Sequence, residues 1–277
     1  MLIDTHCHLD AEIFLESTAE LVAQARANGV QYIVIPAVAH ANFSLVQHMA
    51  TQHVELVYAL GIHPLYVPEA TEADLVELEQ RLEQAMTDPR LVAIGEIGLD
   101  FFVPDLKTPE MVEKQTYFYE TQLKLARQFD LPVLLHVRRS QDHILKYLRR
   151  YPTVSGIAHA FNGSHQQAQQ FIDLGFALGF GGAMTFTRAK QIRRLATELD
   201  LTHLVLETDA PDIGPAWLDA KHHPDQYNRP SELGAIAQVL ADLRQQPVSV
   251  IHAQTTATAL RVLPRLAHWH QQCQTHS

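Results

Sequence analysis

Close to its start the chain sets two histidines one residue apart, in the run Leu2-Ile3-Asp4-Thr5-His6-Cys7-His8. Side chains alternate along an extended strand, so His6 and His8 face one way and Cys7 the other. Two imidazoles converging like this can clamp a metal ion, whereas Cys7 is expected to be buried packing and no ligand. Other apolar runs also end in groups with metal chemistry. Glu96 follows Leu91-Val-Ala-Ile-Gly95, where a carboxylate is buried, and buried acids are paired or metal-bound. His136 closes Leu131-Pro-Val-Leu-Leu135 and His159 closes Val154-Ser-Gly-Ile-Ala158. Gly61-Ile-His63-Pro64 and Glu207-Thr-Asp209-Ala-Pro211 close two more runs. Singly, each group has an ordinary structural reading as a core histidine, a cap or an ion-pair partner; together they favour metal. Four imidazoles with two or three carboxylates exceed one tetrahedral site, so two divalent ions sharing a carboxylate account better for the set. Glu96, with two oxygens, is the natural bridge. The mixed nitrogen and oxygen donors admit Zn, Mn, Mg, Ni or Co and do not choose among them.

Such residues need elements that bring them to one place. Apolar runs at Leu2–His6, Gln31–Pro36, Glu55–Leu60, Leu91–Glu96, Pro132–Val137, Val154–His159, Phe176–Phe180 and Leu204–Asp209 have the composition of strands, several buried on both faces, with helical stretches between. Eight such alternations, with no linker and no internal repeat, predict an α/β fold of the (β/α)8 TIM-barrel type. One domain over 1–277 is expected, with the active site at the C-terminal strand ends. An open doubly wound sheet competes, but Leu178-Gly-Phe-Gly-Gly182 lacks the glycine spacing of a phosphate turn. Thr108-Pro109-Glu110 starts a helix on which Met111, Gln115, Phe118, Gln122, Leu125 and Phe129 share a stripe. Its two glutamines are either buried and hydrogen-bonded beneath the site or at the stripe's edge. Asn228–Leu266 predicts two closing helices parted near Pro247, and Gln271–Ser277 a frayed polar tail.

Lys+Arg 21 against Asp+Glu 31 gives a net charge of -10, which excludes tight, charge-driven binding of nucleic acid by the whole surface. Action on a phosphate ester stays open, because a metal ion supplies positive charge locally. Two cysteines at opposite ends imply no disulfide framework. No apolar run approaches a membrane span and no leader precedes the first strand, so a cytoplasmic monomer is expected.

Taken in order, His6-Cys7-His8, Gly61-Ile-His-Pro64, Gly95-Glu-Ile-Gly-Leu-Asp100, Leu131-Pro-Val-Leu-Leu-His136, His159 before Phe161 and Glu207-Thr-Asp-Ala-Pro211 resemble the TatD family of metal-dependent hydrolases and deoxyribonucleases, one of the amidohydrolase-like barrels. The resemblance runs over essentially the whole chain. It implies one ion on His6, His8, Glu96 and Asp209, and a second on Glu96, His136 and His159. It makes Glu96 and Asp209 the catalytic carboxylates, with Asp209 orienting or deprotonating the attacking water. His63 would contact substrate or brace a ligand, and Glu207 would brace another. The activity implied is hydrolysis of phosphodiesters at DNA ends by a metal-activated hydroxide. A small phosphoester is a second substrate of that kind. A small amide, ester or lactone is the alternative, because attack on a carbonyl needs the same groups. A metal-binding protein without catalysis is disfavoured by the full ligand set.

Three departures from the family pattern bear on substrate: Leu65 after Pro64, the Phe- and Pro-bearing loop Phe101–Lys107, and Asn162 where Ser is frequent. Arg138, Arg139, Arg188 and Arg229 follow strand ends and are either phosphate contacts or ordinary surface arginines. Phe101, Phe102, Phe186 and Trp217 either stack on a base or cover the pocket.

Overall fold

The computed structural model describes residues 1–218 and 226–275. Its strands are β1 (Leu2–Asp4), β2 (Val30–Pro36), β3 (Leu56–Leu60), β4 (Leu91–Asp100), β5 (Val133–Arg138), β6 (Gly156–Ala158), β7 (Phe176–Phe180) and β8 (Leu204–Leu206). They are parallel and hydrogen-bond in chain order from β1 to β8. Between them run α1 (Thr18–Ala27), α2 (Phe43–Gln52), α3 (Glu72–Ala85), α4 (Pro109–Phe129), α5 (Gln141–Leu148), α6 (His165–Asp173) and α7 (Lys190–Glu198). After β8 come α8 (Leu233–Arg244), α9 (Val248–Val262) and α10 (Pro264–Thr275). This is the expected (β/α)8 barrel. Every residue of β3, β4 and β7 is buried, which explains runs that are apolar throughout and do not alternate.

Ile3, Val34, Val57, Val92, Leu134 and Ile157 belong to the cluster that fills the barrel. Val262, Leu263 and Leu266, at the junction of α9 and α10, join the same cluster and stopper the N-terminal ends of the strands. Arg265 fastens this stopper by donating to the carbonyls of Leu91, Met86 and Asp88. The seam between β8 and β1 is closed by Thr5 N donating to Leu206 O at 3.1 Å. Beside it the buried Asp4 carboxylate accepts Thr208 N at 2.9 Å, Thr208 Oγ1 at 2.5 Å and His6 N at 3.3 Å. One side chain thus ties together the two segments that carry His6 and Asp209.

Some boundaries differ from expectation. β1 stops at Asp4 and β8 at Leu206, so His6, His8, Glu207 and Asp209 lie just past their strands. The first segment nevertheless stays extended between two neighbours: Cys7 N donates to Val34 O, while Thr5 N and His8 N donate to Leu206 O and Ala210 O. The sidedness of the histidine pair survives for that reason. Cys7 is fully buried, its Sγ 3.7 Å from Ala210 O. β4 runs past Glu96 to Asp100, whereas β6 ends before His159. Among the described residues three helices follow the barrel in place of two, and the expected frayed tail is helical to Thr275, with 276–277 outside the described residues. Pro264 starts α10 without losing a needed amide, and Trp269 Nε1 ties that helix to Val54 O at 3.0 Å.

α4 begins as its sequence indicates, with Thr108 Oγ1 accepting Met111 N and Pro109 at the first helical position. Both glutamines of its stripe are fully buried. Gln115 Oε1 accepts Asp100 N at 2.9 Å, and Gln122 takes both Ile62 N (2.8 Å) and Ile62 O (3.1 Å). Each completes the hydrogen bonds of a strand end where the backbone leaves the sheet.

Candidate metal centre

Glu96 rises from β4 at the floor of the barrel mouth with its side chain 2% exposed. Oε2 lies 3.0 Å from His6 Nε2 and 3.4 Å from His8 Nε2. Oε1 lies 3.0 Å from His136 Nδ1, 3.0 Å from His159 Nε2 and 3.3 Å from His63 Nε2. One carboxylate therefore divides five imidazoles between its two oxygens. Asp209 Oδ1 stands 3.7 Å from the Nε2 atoms of both His6 and His8.

The donors fit divalent cations. Ligand atoms lie within 4.8 Å of one another in three sets: His6, His8 and Asp209; His6, Glu96 and His159; His63, Glu96 and His136. His63 differs from the other rings. Its Nδ1 accepts the Leu65 amide at 3.1 Å, which leaves the proton on Nε2, facing Glu96. A ring held this way donates a hydrogen bond and has no lone pair for a metal.

Burial sets the protonation of the group. It pushes His6 down to about 3, helped by the facing His159, and His63 down to about 4, so both rings are neutral. Burial also disfavours the Glu96 charge, but His159, whose own ring is raised well above its usual value, holds its carboxyl well below the usual range. Burial opposes a charge on His8 too, yet the hydrogen bond and charge of Glu96 lift it to about 9. Burial raises the carboxyl of Asp209 to about 6.

Behind the ligands stand groups that hold them. Asp100 Oδ2 is 3.1 Å from His136 Nε2, while its Oδ1 accepts the amides of Phe102 and Val103. This aims His136 Nδ1 at Glu96. Glu207 accepts Ala160 N and places Oε1 3.7 Å from His159 Nδ1. Gly179 is what lets Glu207 sit there, because a Cβ at Gly179 would collide with the Glu207 carboxylate. The backbone is also bent at the site: Asp209 (φ 56°) and Ala160 (φ 44°) both adopt the left-handed region. Sequence reasoning assigned no role to Asp100 or Asp4. Asp100 carried a usable signal, since Glu96 and Asp100 share one face of an extended strand.

The mouth is a cavity of about 900 Å³, lined by His8, His63, Glu96, His136, His159 and Asp209 at its base. Arg138 and Arg139 stand at its rim, their guanidinium carbons 3.9 and 4.7 Å from the centre of the Phe102 ring. Arg229 is not brought there. It donates to Glu16 Oε1 at 2.7 Å and lies 4.1 Å over Tyr227, so the expected phosphate contact is instead a tie between the β8 loop and the loop before α1. Phe101 packs edge-on to His143, and Trp217 Nε1 donates to Glu232; neither lines the mouth.

The profile of a family described as TatD related DNase matches residues 3–264. A Haemophilus influenzae protein, named an uncharacterized metal-dependent hydrolase, is 39% identical over 263 residues, 94% of this chain and 98% of its own. The human deoxyribonuclease TATDN3 is 28% identical over 273 residues, 96% of each chain. The crystal structure of YjjV, a TatD homologue from Escherichia coli K12, matches with a TM-score of 0.87 at 36% identity, covering 95% of this chain and 98% of that one. The chain belongs to the TatD family of metal-dependent hydrolases.

Proposed function

We propose that the protein hydrolyses phosphodiester bonds at the ends of single-stranded DNA, with two divalent ions held about Glu96. The observation that carries this reading is the division of the facing imidazoles between the two oxygens of Glu96, at the floor of a deep mouth with arginines at its rim. A human relative named a deoxyribonuclease supports the choice of substrate.

His6, His8 and Asp209 with Glu96 would hold one ion; His136 and His159 with Glu96 would hold the other. Bound there, the ions supply Lewis acidity towards the ester and acidify water to a nucleophile. Asp209 takes the proton of the attacking water and is fixed for this by its own amide on His6 O at 2.9 Å. His63 keeps Nε2–H on Glu96 Oε1 at 3.3 Å and so holds that carboxylate oxygen in place at the base of the mouth. Arg138 and Arg139, beside the Phe102 ring, present guanidinium groups to the phosphate further out. The depth of the site favours a strand terminus over an intact duplex.

The test is a paired assay of metal-reconstituted protein on end-labelled single-stranded DNA and on a panel of amides, esters and lactones. Metal-dependent release of nucleotides from an end, abolished by Glu96→Ala, is the expected result. Turnover of carbonyl substrates with no action on any nucleic acid would overturn it.

A further inference from the structure

The mouth continues sideways. A second cavity of about 610 Å³ shares Asn162, Ala183, Ile192 and Ile213 with it, so the two form one depression, deep over Glu96 and shallow over the segment between β7 and α7. Their charges differ. The deep part is walled by Asp10, Glu96, Asp209 and Asp212 as well as imidazoles, with Arg138 and Arg139 at its rim. The annex is lined by Arg188 and Lys190 and, among the described residues, by no carboxylate. Neither cation has an acidic partner among the described residues, whereas nearby Arg194 is paired with Glu198 at 3.0 Å. In a chain with Lys+Arg 21 against Asp+Glu 31, two uncompensated cations facing one hollow are a local departure from the surface average. The guanidinium of Arg188 lies 4.9 Å over the ring of Phe186, which also lines the annex. A flat aromatic ring beside cations is the combination that holds a single-stranded nucleic acid by base stacking and backbone charge.

We propose that this annex is a subsite for the substrate chain beyond its reacting end: Arg188 and Lys190 take the phosphate next to the one that is cut, and Phe186 stacks on the adjoining base. The proposal rests on the reading of the substrate as a nucleic-acid end. It explains how an acidic protein grips a polyanion without a basic surface, because the cations are few and placed along the exit from the mouth.

Binding and turnover are measured separately, so that failure of the subsite and failure of the hydrolytic reading are told apart. Fluorescence anisotropy compares a labelled phosphorothioate trinucleotide with the labelled mononucleotide, using the intact protein with its metal restored. The wild type is expected to bind the longer ligand more tightly. Arg188→Gln combined with Lys190→Gln should weaken trinucleotide binding roughly tenfold and erase that advantage, as expected when two exposed cations no longer face the phosphate. The salt dependence of log Kd should become shallower by about 0.7 for each phosphate that is no longer neutralised. Arg194→Gln removes a charge from the same helix outside the annex and should leave the advantage intact. A double variant that keeps the advantage, a control that loses it equally, or a wild type without it would each overturn the subsite. A wild type that shows the advantage, loses it on substitution and yet releases no nucleotide would keep the subsite and overturn the proposed hydrolysis.

Discussion

Replacing Asp100 by Asn removes a charge while keeping the side chain's shape, which makes the tautomer of His136 the variable. Oδ1 of Asp100 accepts the amides of Phe102 at 2.7 Å and Val103 at 3.0 Å, while Oδ2 sits 3.1 Å from His136 Nε2. In Asp100→Asn the amide oxygen stays with the two backbone donors, so the NH2 group turns onto His136 Nε2. Two donors then face each other unless the ring moves its proton to Nδ1, the nitrogen 3.0 Å from Glu96 Oε1. That shift removes the lone pair the ring would give to a cation. Burial works against the native charge, but His136 and the amides of Val103 and Phe102 hold Asp100 at about 2, so it is ionised near neutrality. Loss of such a partner lowers metal affinity by about 10–100-fold, or about 1.4–2.7 kcal/mol. Competition with a fluorescent chelator for Mn or Zn measures it. The variant should keep one equivalent at wild-type affinity, on His6, His8 and Asp209, and weaken the other. Unchanged affinity for both equivalents would refute the argument that Asp100 sets the His136 tautomer.

Three further outcomes are expected. Metal should stabilise the fold by about 2.7 kcal/mol per site at a free concentration of about 100 Kd, seen as a rise in thermal midpoint that Glu96→Ala reduces; identical midpoints with and without the ion contradict the site. Gly179→Ala drives a Cβ into the Glu207 carboxylate. It should cost about 1–3 kcal/mol in urea unfolding and slow turnover, and a variant with wild-type stability and rate would show that Glu207 is not tightly seated. Gln122→Leu strands the buried amide and carbonyl of Ile62. A loss of about 1–3 kcal/mol per unpaired group should appear in the same unfolding curve, and a change under about 0.5 kcal/mol would mean that water replaces the glutamine.

The centre was legible where its residues obey local rules. His6 and His8 could be paired from sequence because alternation outlasts the strand, and Glu96 because an acid after an apolar run has to be buried and matched. Asp4 was not legible: its partner Thr208 is 204 residues away, and nothing local to either residue announces a seam. Arg229 misled for the same reason, since Glu16 lies 213 residues distant. The last helix was missed because its polarity resembles a tail, whereas Leu266 and Trp269 dock it by apolar surface that composition averages out. Gln115 and Gln122 were ambiguous on a helical stripe, because their partners are backbone groups whose need for bonds depends on where the sheet ends.

The stopper formed by α9 and α10 makes the barrel a cul-de-sac. Whatever enters at the histidines has to leave by the way it came, so no strand can be drawn through and fed out below. Product and the next length of substrate compete for one doorway. A hydrolase built on this plan releases its product on the same face that admits its substrate.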